Sequence, residues 1–126
     1  MKKFIAAVAM ALSLGAAYAD SAEREHAISG QVADVATTVG GLALGATELN
    51  PLGLATIPLK YYILARADEM SPGPDKDEAY RLIAAAGYGP AANNVCVILT
   101  IATGGGATPG CLLVGLITGI YVYNKE

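Results

Sequence analysis

The sequence predicts an all-α fold: a small transmembrane helical bundle of three to four spans behind an N-terminal signal peptide. Three observations predict it. Apolar residues make up 54% of the chain and charged ones only 15%, against roughly 25% charged in a soluble domain. The charges are segregated into 20–25 and 66–81, which leaves long, nearly uncharged stretches between them. Those stretches approach the length that crosses a hydrocarbon core, and lipid offers no hydrogen-bond partner to an open backbone, so each must be a helix. At 126 residues there is room for one small domain.

The leader comes first. "MKK" is a basic n-region, "FIAAVAMALSLGAA" an apolar h-region, and "AYA" before Asp20 fits the small-x-small cleavage rule. We expect cleavage of 1–19, which leaves 20–126 as a single helical membrane domain. That domain keeps 6 Lys and Arg, since Lys2 and Lys3 leave the total of 8, against 11 Asp and Glu, a net charge of −5. Its expected place is the bacterial inner membrane, with the mature N-terminus in the periplasm. No run of Lys or Arg could neutralise phosphates, so nucleic acid is not an expected partner.

Four apolar stretches follow the polar lead-in "DSAEREHA". The first, 28–47, has the 20 residues that span a bilayer. The second, 51–65, has 15 and reads as a short, tilted or re-entrant segment. The third, 82–103, has 22, and the fourth, 107–123, has 17. "RADEMSPGPDKDEAYR", 66–81, reads as an exposed loop from its Ser, Pro, Gly and charges, and "GGGATPG" as a tight turn. Tyr80, Tyr121 and Tyr123 suit the headgroup level. The leader places the 66–81 loop outside, although it holds Arg66, Lys76 and Arg81 while the opposite turns hold no Lys or Arg. The positive-inside rule favours the reverse, and the expectation follows the leader.

The first span carries expensive polar groups on one face. A helix turns about 100° per residue, so relative to Asp34 the positions of Thr37, Thr38, Gly41, Gly45 and Glu48 all fall within roughly 60°. Val35, Val39, Leu42 and Leu44 lie mostly off that stripe. In lipid such a face packs against other helices, through small residues and interhelical hydrogen bonds. Gly41 and Gly45 form a G-x-x-x-G pair, and Gly115 and Gly119 repeat it in the last span.

Ionisable groups at membrane depth are candidate sites. Here they are Asp34, Glu48 and Lys60, joined by the amides Asn93 and Asn94 and by Asn50 at the turn. A hairpin folded at Asn50 sets Lys60 about 9 Å in depth from Asp34, within reach of a leaning lysine, so we expect the two to neutralise each other. In "GYGPAANNV" Pro90 removes a backbone hydrogen bond and is expected to kink the third helix. No catalytic constellation, metal-ligand spacing or phosphate loop is present, so neither an enzyme nor a cofactor is expected. Cys96 and Cys111 differ in depth by roughly 6 Å. A disulfide is geometrically borderline, and free thiols are expected because the leader's topology turns that hairpin toward the reducing cytoplasm.

The run Asp34-x-x-Thr37-Thr38-x-Gly40-Gly41, then Gly45-x-x-Glu48-x-Asn50-Pro51-Leu52, with Lys60 and Asn93-Asn94 following, resembles a family of small prokaryotic integral membrane proteins with a T-T…G…E-x-N-P-L signature in the first helix. The resemblance covers about the central seventy residues. It implies a compact helical bundle and no assigned activity. The expected function is therefore an accessory or scaffold component, packed through its polar and glycine face against lipid, other membrane proteins or copies of itself. A transport or pore-forming module and a pilin-like subunit are the alternatives.

Overall fold

The computed structural model describes residues 21–44, 55–105 and 109–125. Among them the chain is all-helical: α1 (Ala22–Ala43), α2 (Ile57–Asp68), α3 (Pro74–Ala102) and α4 (Pro109–Asn124). α1 starts six residues before the first apolar stretch because the lead-in supplies a cap. The Ser21 hydroxyl accepts from the Arg24 N–H at 3.1 Å, and Glu23 and Glu25 sit at the positive end of the helix dipole. α2 starts later than the second apolar stretch and runs past it to Asp68.

The 66–81 stretch departs most from its expected form. Residues 66–68 complete α2 and 74–81 form the first turns of α3, which leaves only 69–73 as a turn. Gly73 adopts φ 153°, a conformation side chains rarely take, and Pro74, Asp75 and Asp77 then open α3 with a fixed φ and acidic first-turn groups. α3 runs 29 residues and stays helical through Pro90. Among the described residues it is the single helix both long and apolar enough to cross a membrane. α4 is apolar but only 16 residues long, α2 has 12, and α1 carries Glu23, Arg24, Glu25 and Asp34.

α3 is the centre of the bundle, and glycines set how closely its neighbours approach. A Cβ on Gly87 would lie 2.3 Å from the Gly30 carbonyl carbon, so α1 and α3 cross there in backbone contact. A Cβ on Gly115 would lie 2.8 Å from the Gly89 carbonyl oxygen, which is the α3–α4 crossing, and Gly119 continues that seam beside Ala85 and Gly89. The α1 crossing is thus at Gly30, nearer its start than the expected Gly41 and Gly45. Gly41 is buried, and Gly45 lies outside the described residues.

The polar stripe of α1 faces inward, with Ala27, Gly30, Asp34, Thr38 and Gly41 all buried. Val35, placed off the stripe by rotation, is buried as well, because α2 covers that flank. A core of Ala27, Leu64, Ala67, Tyr80, Ile83, Ala84 and Val122 closes the end where α1 and α3 begin and α2 and α4 finish. Large apolar side chains face outward elsewhere, among them Leu99 on α3 and Leu112, Leu116 and Ile117 on α4.

Cys96 and Cys111 form a disulfide with Cα atoms 5.4 Å apart, which corrects the expectation of free thiols. The close Gly89–Gly115 crossing draws α3 and α4 together, and brings both Cα atoms inside the bonding range.

Gly87→Ala should destabilise the protein by about 1–3 kcal/mol by overpacking a backbone contact. Gly40→Ala, where an added Cβ meets nothing within 4 Å, should be neutral or stabilising by up to about 1 kcal/mol from helix propensity. Thermal unfolding of both variants checks the pair.

Candidate functional site

The candidate site is a buried polar lock joining α1, α2 and α3. Asp34 is 4% exposed, and a lone carboxylate at that depth would be strongly disfavoured. Its Oδ2 forms an ion pair with Lys60 Nζ from the first turn of α2. Its Oδ1 accepts from Asn94 Nδ2 of α3 at 3.2 Å. The same Asn94 amide lies 3.2 Å from Thr37 Oγ1 and 3.1 Å from Thr38 Oγ1, so two hydrogens are shared among three acceptors. Thr37 accepts from Asn94 while donating its hydroxyl to the Ala33 and Asp34 carbonyls at 2.9 and 3.1 Å. Both carboxylate oxygens of Asp34 are engaged, so this arrangement fixes helix register and offers no free general base.

The remaining candidate residues separate. Asn93 points to the other seam of α3, where its Cβ is the neighbour that a side chain on Gly115 would meet at 2.9 Å. Its Oδ1 is buried with no partner among the described residues. Glu48 and Asn50 lie outside the described residues with Gly45. Gln31, on the flank of the stripe, donates its Nε2 to the Ile83 carbonyl at 2.6 Å and ties α1 to α3 below the lock. Between α1 and α2 a cavity of about 30 Å³ is lined by Val32, Val35, Ile57, Tyr61 and the stems of Gln31 and Lys60.

A second polar cluster went unpredicted. At the charged end, Arg24 Nε and Nη2 donate to the two carboxylate oxygens of Asp68, each at 2.7 Å. Tyr80 Oη donates to Asp68 Oδ1 at 2.7 Å, and Lys76 Nζ donates to the Asp68 carbonyl at 3.0 Å. Arg24 is only 2% exposed. Read along the chain, Arg24 belongs to a polar lead-in and Asp68 to a charged loop, and both types are ordinarily solvated. The available signal was spacing: Arg24, Ala27, Gly30 and Asp34 continue the three-and-four stripe toward the start of α1. The hydrogen bond from Arg24 holds the Asp68 carboxyl below its ordinary 3.8, and Asp68 in turn raises Arg24. Burial, then the Asp68 neighbour, pushes the Tyr80 phenol up to about 12.

Comparison with protein-family models, with curated proteins and with solved structures gave no match.

Two predictions arise from these clusters. Asp34→Asn should destabilise by about 3–5 kcal/mol, because it strands the Lys60 ammonium, whereas Asp34→Leu combined with Lys60→Met should recover most of that loss. Denaturant unfolding of the single and double variants measures the coupling. The charged end sets the pH profile. Asp68 has a depressed pKa, so its contribution is present above the ordinary value of 3.8 and is lost as pH falls through the lower folded value. Tyr80 has a raised pKa, so its contribution is full below the ordinary 10.0 and is lost as pH climbs toward about 12. Melting temperature against pH should fall at both extremes, and Asp68→Asn should flatten the acid limb.

Proposed function

We propose that the protein is a small helical component of a bacterial inner membrane that acts by packing, as an accessory or scaffold subunit. The observation that carries this reading is the division of its surfaces. The polar groups of α1 are spent inward on Lys60 and Asn94, while α3 and α4 turn large aliphatic side chains outward. A carrier or pore needs polar groups free along a path, and the lock leaves Asp34 and Lys60 committed to each other. The resemblance of the 34–52 pattern to small prokaryotic membrane proteins points the same way.

Two further observations support an orientation opposite to the one the leader suggests. Arg24, Arg66, Lys76, Arg81 and Lys125 all lie at the end where α1 and α3 begin, and positive charge marks the cytoplasmic side. The Cys96–Cys111 disulfide lies toward the other end of α3, and disulfides persist on the oxidising side. In this reading the charged end faces the cytoplasm and the disulfide end faces outward.

The protein should remain in the membrane pellet after alkaline carbonate washing and should cause no dye release from proteoliposomes. Release to the supernatant would remove the membrane reading, and dye leakage would replace the scaffold with a pore. A cysteine placed in the α2–α3 turn by Ser71→Cys should react with an impermeant maleimide only after spheroplasts are lysed. Labelling in intact spheroplasts would restore the leader's topology.

A further inference from the structure

The flank of α3 turned away from α1 holds a polar group in an apolar setting. Leu82, Ala86 and Asn93 are spaced by four and seven residues and so share that flank. Beside them α3 and α4 leave a hollow of about 520 Å³, whose lining includes Gly89, Pro90 and Asn93 from α3 and Leu112, Leu116 and Ile120 from α4. Those last three side chains are exposed. Asn93 Oδ1 is buried with no donor to it among the described residues, and its neighbour in the seam is Gly115, which has no side chain to offer. One turn earlier, Pro90 brings no N–H to the carbonyl of Ala86, an exposed residue. Both acceptors lie within the apolar length of α3, where lipid supplies no donor.

The chemistry of the amide selects what covers this hollow. A carboxamide is its own complement, because it carries a donor and an acceptor side by side. Two copies inserted in the same sense hold Asn93 at the same depth. A two-fold axis along the membrane normal then lets each Nδ2 donate to the other copy's Oδ1. The seam gives the amide no competing bond, so turning it toward the hollow breaks none. The patch also has the form a two-fold contact requires, since a ridge of Leu112, Leu116 and Ile120 borders a hollow that the same ridge of a second copy can enter. A lipid tail would fill the hollow and leave the amide unpaired.

We propose that two copies of the chain pair in the membrane through the hollow between α3 and α4, with the two Asn93 amides hydrogen-bonded across the axis. The proposal rests on the membrane reading and names a second copy as the scaffold's partner. Carbonate extraction tests that reading separately, because a chain that stays in the pellet as a monomer would overturn the pairing alone. Cysteine cross-linking of the full chain tests the contact. The native cysteines are bonded to each other, so an introduced thiol is the single free one. Leu116→Cys, on the ridge, should give a product of twice the chain mass with a short bis-maleimide in the membranes of the producing cell. Val114→Cys is also exposed but lies about 200° around α4, and should give little. Equal cross-linking at both positions would reduce the contact to random collision and overturn it. A Leu116→Cys product of any other mass would assign the hollow to a different protein, and no product at all would leave it uncovered; either overturns the pairing. In proteoliposomes, adding Asn93→Leu to Leu116→Cys should weaken association roughly tenfold, from the loss of two interhelical hydrogen bonds, read as the shift in lipid-to-protein ratio at half cross-linking. Circular dichroism and retention of the Cys96–Cys111 bridge establish that the variant is folded. Undiminished association of the folded Asn93→Leu variant would remove the amide pair and overturn the proposal.

Discussion

The two backbone crossings on α3 constrain everything else in the molecule. Gly87 and Gly89 are two residues apart, about 200° around the helix, so they present bare backbone to different neighbours. α1 closes on the first through Gly30, and α4 closes on the second through Gly115. Once those contacts are made, the rotation of α3 is set, and the adjacent asparagines part company. Asn94 is seven residues beyond Gly87 and shares its face, which brings it to Asp34, Thr37 and Thr38 at 3.1–3.2 Å. Asn93 is four residues beyond Gly89 and goes with α4 instead.

The polar contacts then fall on two levels. Arg24 and Asp34 are ten residues apart on α1, or about 15 Å along its axis. α2 runs back antiparallel and meets both, Asp68 pairing with Arg24 and Lys60 with Asp34. α2 is short, and only Leu64 and Ala67 on it are buried. Two ion pairs near its ends therefore do what apolar burial does for longer helices. Each pair is also satisfied by a third group, Tyr80 at one level and Asn94 at the other. That saturation is what makes a buried charge tolerable.

The α4 side is built on another principle. There the seam is small residues against small residues, closed by the Cys96–Cys111 disulfide, and nearly every large side chain faces away from the bundle. A helix held this way gains little from water-driven burial, and van der Waals contact between close backbones suits lipid as the solvent. The polar contacts of α1 and α2 and the small-residue seam of α4 lie on different faces of α3, so one short chain is held together by two chemically distinct kinds of contact.

Local pattern was enough for the all-helical class, the inward turn of the Asp34–Thr38–Gly41 stripe and the glycine spacing of α4, which follow from rotation and rise along a single helix. It missed that 66–68 and 74–81 are helical, since Ser, Pro, Gly and charges read alike in a loop and in a capped helix start. Tertiary structure alone decided which glycine carries the α1 crossing, which asparagine joins Asp34, that Arg24 is buried on Asp68, and that the two cysteines are joined. Each of those depends on the rotation of one helix against another, and that rotation is set by the closest approach of two backbones distant in sequence. No periodicity within either segment encodes it.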